Sequence, residues 1–142
     1  MSLYCTFTVD RFFLGIPVER VQEVLRQHEL SRVPLARAEI RGLINLRGQI
    51  VTAIDLRRRL RLRDSAGGEA SSMNVLVQTG EGAVSLLVDQ IEDVLEVSPE
   101  SIEQPPQTVQ GEVREMITGA SKQKDRLLLL LNTDKTLELS GN

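Results

Sequence analysis

Two stretches of this chain, 70 residues apart, carry the same succession of apolar, acidic and turn residues, and that duplication restricts the fold more than any other feature. Set over one another, 7–25 and 77–95 match identically at Val18/Val88, Val24/Val94 and Leu25/Leu95. They match in kind at Glu19/Asp89, Val21/Ile91 and Glu23/Asp93. A second block lies at an offset of 77, where Ile40 and Gly42 meet Ile117 and Gly119, and the apolar run 50–54 meets 127–131. In the same block Asp55 meets Asn132 and Leu60 meets Leu137. Both halves carry proline between the blocks, as Pro34 and as Pro105-Pro106. The shared order implies two copies of one supersecondary unit. The stretch 65–72, SAGGEASS, has the composition of a linker and would join a first unit over about 12–64 to a second over about 73–139.

Each unit reads as short strands. Leu3, Cys5, Phe7 and Val9 alternate along 3–9, as a half-buried strand requires. Short apolar or β-branched runs at 12–16, 49–54, 73–78, 83–88 and 126–131 lie between turn residues such as Gly48, Gly80, Gly82 and Asp125. Their length and flanks favour strands over buried helix. Val18, Val21 and Val24 have helical spacing, yet so many β-branched residues predict only a helical turn, followed by a strand over 22–25. Val109, Val113, Met116 and Ile117 fall at i, i+4, i+7 and i+8, which predicts a helix with Gly119 as its left-handed stop. A shorter counterpart is expected over 37–40. Asp55 and Asn132 each follow a strand, where a side-chain oxygen can cap the next backbone N–H groups. The expected class is all-β with a few short helices.

The residues exclude much chemistry. A length of 142 residues is one domain, and 41% hydrophobic with 26% charged residues is ordinary for a globular chain. One cysteine, Cys5, excludes an internal disulfide, and one histidine, His28, excludes sites built on several His and Cys ligands. No metal and no cofactor are expected. Cys5 sits on an apolar strand face and reads as an inert buried thiol, and His28 as a surface residue in a turn. Gly67-Gly68 lacks the lysine and following helix of a phosphate loop. No catalytic constellation stands out, so no enzyme is expected. The longest aliphatic run, 127–131, is far too short to span a membrane. The start, MSLYCTFTVDRFF, lacks the pattern of a secretory signal, and the expected setting is cytoplasmic.

Charge is distributed unevenly. Residues 1–64 hold twelve arginines against seven acids, and 65–142 hold five Lys or Arg against thirteen acids. Such a dipolar chain either steers different partners to its two ends or lets its halves attract each other. Five of the seven residues from Arg57 to Arg63 are arginine, which could serve a nucleic-acid-binding β-barrel. Aromatic residues at 3%, with no tryptophan, and the acidic net charge of -3 argue against that use. The other reading is a solvated helix end anchored by Leu60 and Leu62.

The stretch 40–60, IRGLINLRGQIVTAIDLRRRL, is the most specific in the chain. Asn45-Leu46-Arg47-Gly48 sets a charged residue at a tight turn within apolar strand sequence, where arginine either pairs with an acid or presents donors to a partner. Gly42 and Gly48 permit backbone conformations that a side chain forbids. The stretch resembles the signature of CheW-like domains, the scaffold family of bacterial chemotaxis arrays. The likeness extends to 13–24 (FLGIPVERVQEV), 87–95 (LVDQIEDVL), Ile117-Thr118-Gly119 and 125–132. It departs from the family pattern at Thr52, where proline is common, and at Ser85, where glycine is common.

The resemblance implies two SH3-like five-stranded β-barrel subdomains in one CheW-like domain, with a groove between them. It implies a non-catalytic adaptor that binds a CheA-type histidine kinase and the cytoplasmic tips of methyl-accepting chemoreceptors. Either a free-standing adaptor or a module of a larger chemotaxis protein would fit. Val21, Glu23, Gly42, Arg47 and Val94 match family positions associated with receptor binding. Ile91, the repeat partner of Val21, is expected to face the same groove. Arg47 is expected to pair with Glu23, and Val24 is expected to be the most core-like of the groove valines.

Overall fold

The structure is a computed structural model that describes residues 2–26, 30–63 and 73–138. His28 and the linker expected over 65–72 lie outside the described residues. The first strands are β1 (Ser2–Val9), β2 (Phe12–Pro17), β3 (Val21–Leu25), β4 (Ile40–Leu46) and β5 (Gln49–Asp55), with helix α1 (Leu56–Arg59) after them. Next come β6 (Met73–Thr79), β7 (Gly82–Val88), β8 (Gln90–Val97) and β9 (Ile102–Glu103). Helix α2 (Glu112–Glu115), β10 (Ile117–Lys122), β11 (Leu127–Leu131) and helix α3 (Thr133–Leu137) complete the order. The chain is mostly strand, as its short β-rich runs predict.

The duplication is structural. β1 and β2 pair as a hairpin, and 70 residues on β6 and β7 pair as another. The β4–β5 and β10–β11 pairs correspond at an offset of 77, down to a shared bulge between Ile40 and Gly42 and between Ile117 and Gly119. Asp55 accepts from the Arg58 backbone N–H at the start of α1, and Asn132 accepts from that of Lys135 at the start of α3. Both caps stand where the strands before them predicted.

The sheets do not divide as the expected units over 12–64 and 73–139 do. One has the order β8-β1-β2-β11-β10-β9 and the other β3-β6-β7-β5-β4. Each sheet therefore takes its hairpin from the opposite half of the chain. Within each, the same order recurs: the strand after one hairpin, then the other hairpin, then a pair joined to it in parallel. The parallel pairings are β2 with β11 and β5 with β7. The exchange interlocks the halves, and the largest core cluster mixes both. It joins Phe7, Leu14 and Ile16 to Ile54 and Leu56, and these to Val75, Leu86 and Leu129.

Two helix expectations are corrected. The helix expected from Val109 to Ile117 is a single turn, Glu112–Glu115, because Gly111 at φ 74° precedes it and Ile117 already pairs with Leu131. Val109, Val113 and Met116 are nonetheless buried, so the apolar face is real although most of the helix is not. The counterpart over 37–40 is a turn, closed by the Ile40 N–H on the Arg37 carbonyl, and Ile40 starts a strand. Gly119 ends no helix. It lies in β10, where a Cβ would stand 2.8 Å from Ile102 Cγ2, so it serves close approach and not a left-handed turn.

Candidate functional site

Strands β3 and β8 are the repeat-equivalent edges of the two sheets. Each has a bulge at the same place in the repeat. Against β6 the register slips between Val21 and Glu23, and on β8 the four residues from Ile91 to Val94 face the three from Cys5 to Phe7 on β1. In a regular strand, residues three apart point to opposite faces, but a bulge between them restores one face. Val21 stands opposite Val77 and Val24 opposite Val75, and Ile91 opposite Phe7 and Val94 opposite Cys5. The three-residue spacing that looks helical in sequence is thus the signature of a bulged edge.

Each edge therefore carries an apolar pair that continues the buried face of its sheet into solvent. Val21 and Ile91 are half-buried and pack on the same main core cluster. Val24 at 46% and Val94 at 54% are exposed. Val24, expected to be the most core-like, is among the most exposed, because it lies beyond the bulge. The edges are linked through β6, which pairs with β3 and whose Met73 Sδ accepts the Ile91 N–H at 3.3 Å.

Glu23 and Arg47 meet as expected. Arg47 and Gly48 both have positive φ, 53° and 85°, which makes the two-residue turn of the β4–β5 hairpin the tight kind matched to strand twist. Asn45 Oδ1 accepts the Gly48 N–H at 3.1 Å and supports that turn. The turn lifts Arg47 into solvent, where its Nη2 donates to Glu23 Oε1 from β3. An exposed pair of this kind contributes about 0–1 kcal/mol to stability. Gly42 lies in the bulge of β4, and its place is explained by contact: a Cβ there would stand 2.6 Å from the Ser31 carbonyl oxygen. The expected freedom of φ is the reason at Gly48 and not at Gly42.

Three arginines of the run, Arg57, Arg58 and Arg59, are taken up by the protein itself, while Arg61 and Arg63 stay exposed. Arg57 donates to Asp89 at 2.5 Å and Asp10 at 3.1 Å. Burial works against the Arg57 cation, but the attraction of Asp89 and then its hydrogen bonds outweigh it, so its pKa is raised. Arg59 donates to the carbonyls of Thr136, Lys135 and Glu138 at the end of α3, and pairs with Glu112. Arg58 reaches the Ala38 carbonyl and Asp55. Arg20 pairs with Asp134 across the two halves as well. The charge asymmetry is spent on mutual attraction of the halves, and a nucleic-acid surface over Arg57–Arg63 is not favoured.

Two further pairs escaped the sequence reading. Arg41 pairs with Asp55 at 2.7 Å, for which the only signal was a charge beside Gly42 and an acid at a strand end. Ser85, where the family pattern has glycine, donates its buried hydroxyl to Asn74 Oδ1 at 2.9 Å, so the departure leaves a satisfied polar pair.

The family model of the CheW-like domain matches residues 3–140. The chain belongs to the CheW-like family. The chemotaxis protein CheW of Treponema pallidum (strain Nichols) is 29% identical over 133 residues, covering 92% of this chain and 78% of its own. The chemotaxis protein CheW of Bacillus subtilis (strain 168) is 30% identical over 132 residues, covering 93% of this chain and 84% of its own. The crystal structure of scaffolding protein TtCheW from Thermoanaerobacter tengcongensis superposes with a TM-score of 0.86 at 24% identity, over 99% of this chain and 95% of that one. At that identity it speaks for the CheW-like fold alone. No helix among the described residues is long and apolar enough to cross a membrane.

Proposed function

We propose that this chain is a non-catalytic chemotaxis adaptor that joins a CheA-type histidine kinase to the cytoplasmic tips of methyl-accepting chemoreceptors, acting in the cytoplasm. Its membership of the CheW-like family supports the adaptor role. One structural observation carries the partner reading: exposed Val24 and Val94 stand at equivalent places on two bulged edges, with the Arg47–Glu23 pair beside one of them. An amphipathic receptor helix needs apolar contacts flanked by a fixed polar group, and these edges supply both. Val21, Glu23, Gly42, Arg47, Ile91 and Val94, with Val24 beside them, form the receptor-binding set in this reading. Val24, Val94, Glu23 and Arg47 touch the receptor, whereas Val21, Ile91 and Gly42 hold the edges in place.

The test is reconstitution. The purified chain, a CheA-type kinase and a receptor signalling fragment from one source are sedimented together. A ternary complex that needs this chain supports the reading. Receptor and kinase that sediment equally well without it, or a chain that binds neither, refute it.

A further inference from the structure

Parallel pairing sets residues of like position side by side, and β2 and β11 pair in parallel with Phe13 opposite Leu128. Arg11 lies in the turn before β2 and Arg126 in the bend before β11, so both stand near the start of this parallel pair. Both arginines line one cleft of about 440 Å³, together with Phe12, Phe13, Val109 and Leu127. Two cations lining one cleft repel each other, so the pair needs a reason.

The duplicated fold supplies an internal control. In the other sheet β5 and β7 pair in parallel with Thr52 opposite Val84, and the positions equivalent to Arg126 and Arg11 hold Gln49 and Glu81. The same architecture is built without two cations there, so the fold does not require them. The two arginines also differ in their neighbours. Arg126 donates to Glu92 at 2.7 Å and lies 3.7 Å over the Phe13 ring, so its charge is matched and its face covered. Arg11 lies 4.7 Å over the Phe12 ring, with no ion pair to an acid among the described residues. A guanidinium held by its face keeps its in-plane N–H donors for an anion.

We propose that this cleft binds a small amphipathic carboxylate, with its anion on Arg11 and its apolar body on Val109, Leu127 and the two phenylalanines. The buried Val109 and Leu129 side chains form an apolar floor. The volume suits an aromatic or medium-chain acid, since pockets for such ligands start at about 300 Å³. A charge-assisted, fork-shaped contact to a carboxylate is what an arginine at an apolar mouth provides. The site is independent of the adaptor role, and its test involves neither kinase nor receptor.

The test titrates 2-naphthoate and its uncharged analogue 2-naphthamide into the full chain, followed by calorimetry and backbone amide shifts. Saturable naphthoate binding is expected, with shifts centred on Phe12, Phe13, Val109 and Leu127. The amide is expected to bind at least about tenfold more weakly. Arg11→Glu, which copies Glu81 of the other half, is expected to lower naphthoate affinity by about tenfold or more. Arg11 is exposed in a turn, so its melting temperature stays near that of the parent. Arg11→Gln, which removes the cation without adding an anion, gives the same direction of change. The proposal is overturned by the absence of saturable naphthoate binding, by equal affinity for acid and amide, or by parental affinity in both variants.

Discussion

Arg41 Nη2 donates to Asp55 Oδ2 across 2.7 Å, so the residue pushed out by the bulge of β4 neutralises the residue that caps α1. Asp55 is only 4% exposed. A charge that far from water needs a partner. In the second copy the same two positions hold Thr118 and Asn132, and the cap is neutral. The fold tolerates either a charged pair or an uncharged one.

That relationship predicts a coupling. Arg41→Thr alone leaves Asp55 with only the longer contact to Arg58 at 3.7 Å and is expected to cost about 2 kcal/mol, and Asp55→Asn alone a similar amount. The double variant, which copies Thr118 and Asn132, should cost less than the sum, with a coupling of about 1–3 kcal/mol. Urea denaturation of the four proteins checks this. Strictly additive costs would show that the two residues act apart.

Gly42 and Gly119 are equivalent in the repeat but should differ in tolerance. A Cβ at Gly42 meets the Ser31 carbonyl at 2.6 Å, which is backbone, whereas at Gly119 the 2.8 Å neighbour is the γ2 methyl of Ile102, a side-chain group on the two-residue strand β9. Ser31 is also held to Leu43 by two backbone hydrogen bonds of 2.8 Å. Gly42→Ala is therefore expected to cost about 2–3 kcal/mol and Gly119→Ala less, about 1–2 kcal/mol, since β9 can give where the Ser31 backbone cannot. Denaturant midpoints decide it, and equal costs would contradict the geometry.

The edge strands separate folding from binding. Val24→Asp changes an exposed residue and should alter stability by about 0.5 kcal/mol or less, while receptor binding falls by about tenfold or more. Val21→Asp pushes a charge against the main core and should cost roughly 2–4 kcal/mol. Arg47→His should keep the melting temperature within about 3 °C, since an exposed pair contributes little, while weakening receptor binding. Thermal melts and receptor sedimentation on the same preparations test all three. Normal binding by folded Val24→Asp and Arg47→His would move the receptor site elsewhere.

Cys5 yields a pH dependence. Burial pushes its thiol pKa above the ordinary value. At alkaline pH the unfolded chain releases that proton and the folded chain retains it, so the unfolded state binds fewer protons and stability falls as pH rises. The contribution is complete below the ordinary thiol range and is lost on passing through the raised pKa of the folded state. Cys5→Ala should flatten the alkaline limb of a stability–pH curve, and iodoacetamide should label Cys5 only after denaturant is added. Rapid labelling of the native protein would show the thiol to be accessible.

Much of this protein is local and was therefore legible in the sequence. Strand runs, hairpin turns and the Asp55 and Asn132 caps depend on residues a few positions apart, whose spacing records their geometry. The Glu23–Arg47 pair was legible in part: an arginine at a tight turn in apolar strand sequence pointed to an acid or a partner, and the family resemblance singled out Glu23. The Val21–Val24 spacing was ambiguous, since a bulge and a helical turn both bring residues three apart onto one side. Only the tertiary structure resolved it, through pairing with β6.

The exchange of hairpins belongs wholly to the tertiary level. β1–β2 and β6–β7 carry the same alternation, so either would fit beside either β-pair as far as local pattern goes. Which parallel partner each takes is set by the packing of Phe7, Leu14, Val75 and Leu86 into one shared core. Those contacts join residues far apart in the chain, and no local spacing encodes them. The same holds for the arginines after Asp55: the sequence determined that the charges exist, and the interlocked sheets decided that Asp89 and Glu112 would stand opposite Arg57 and Arg59. Local patterns fix what each segment is, because their energies act over a few residues. Long-range burial fixes where it goes, because only the assembled core makes one pairing better than its mirror.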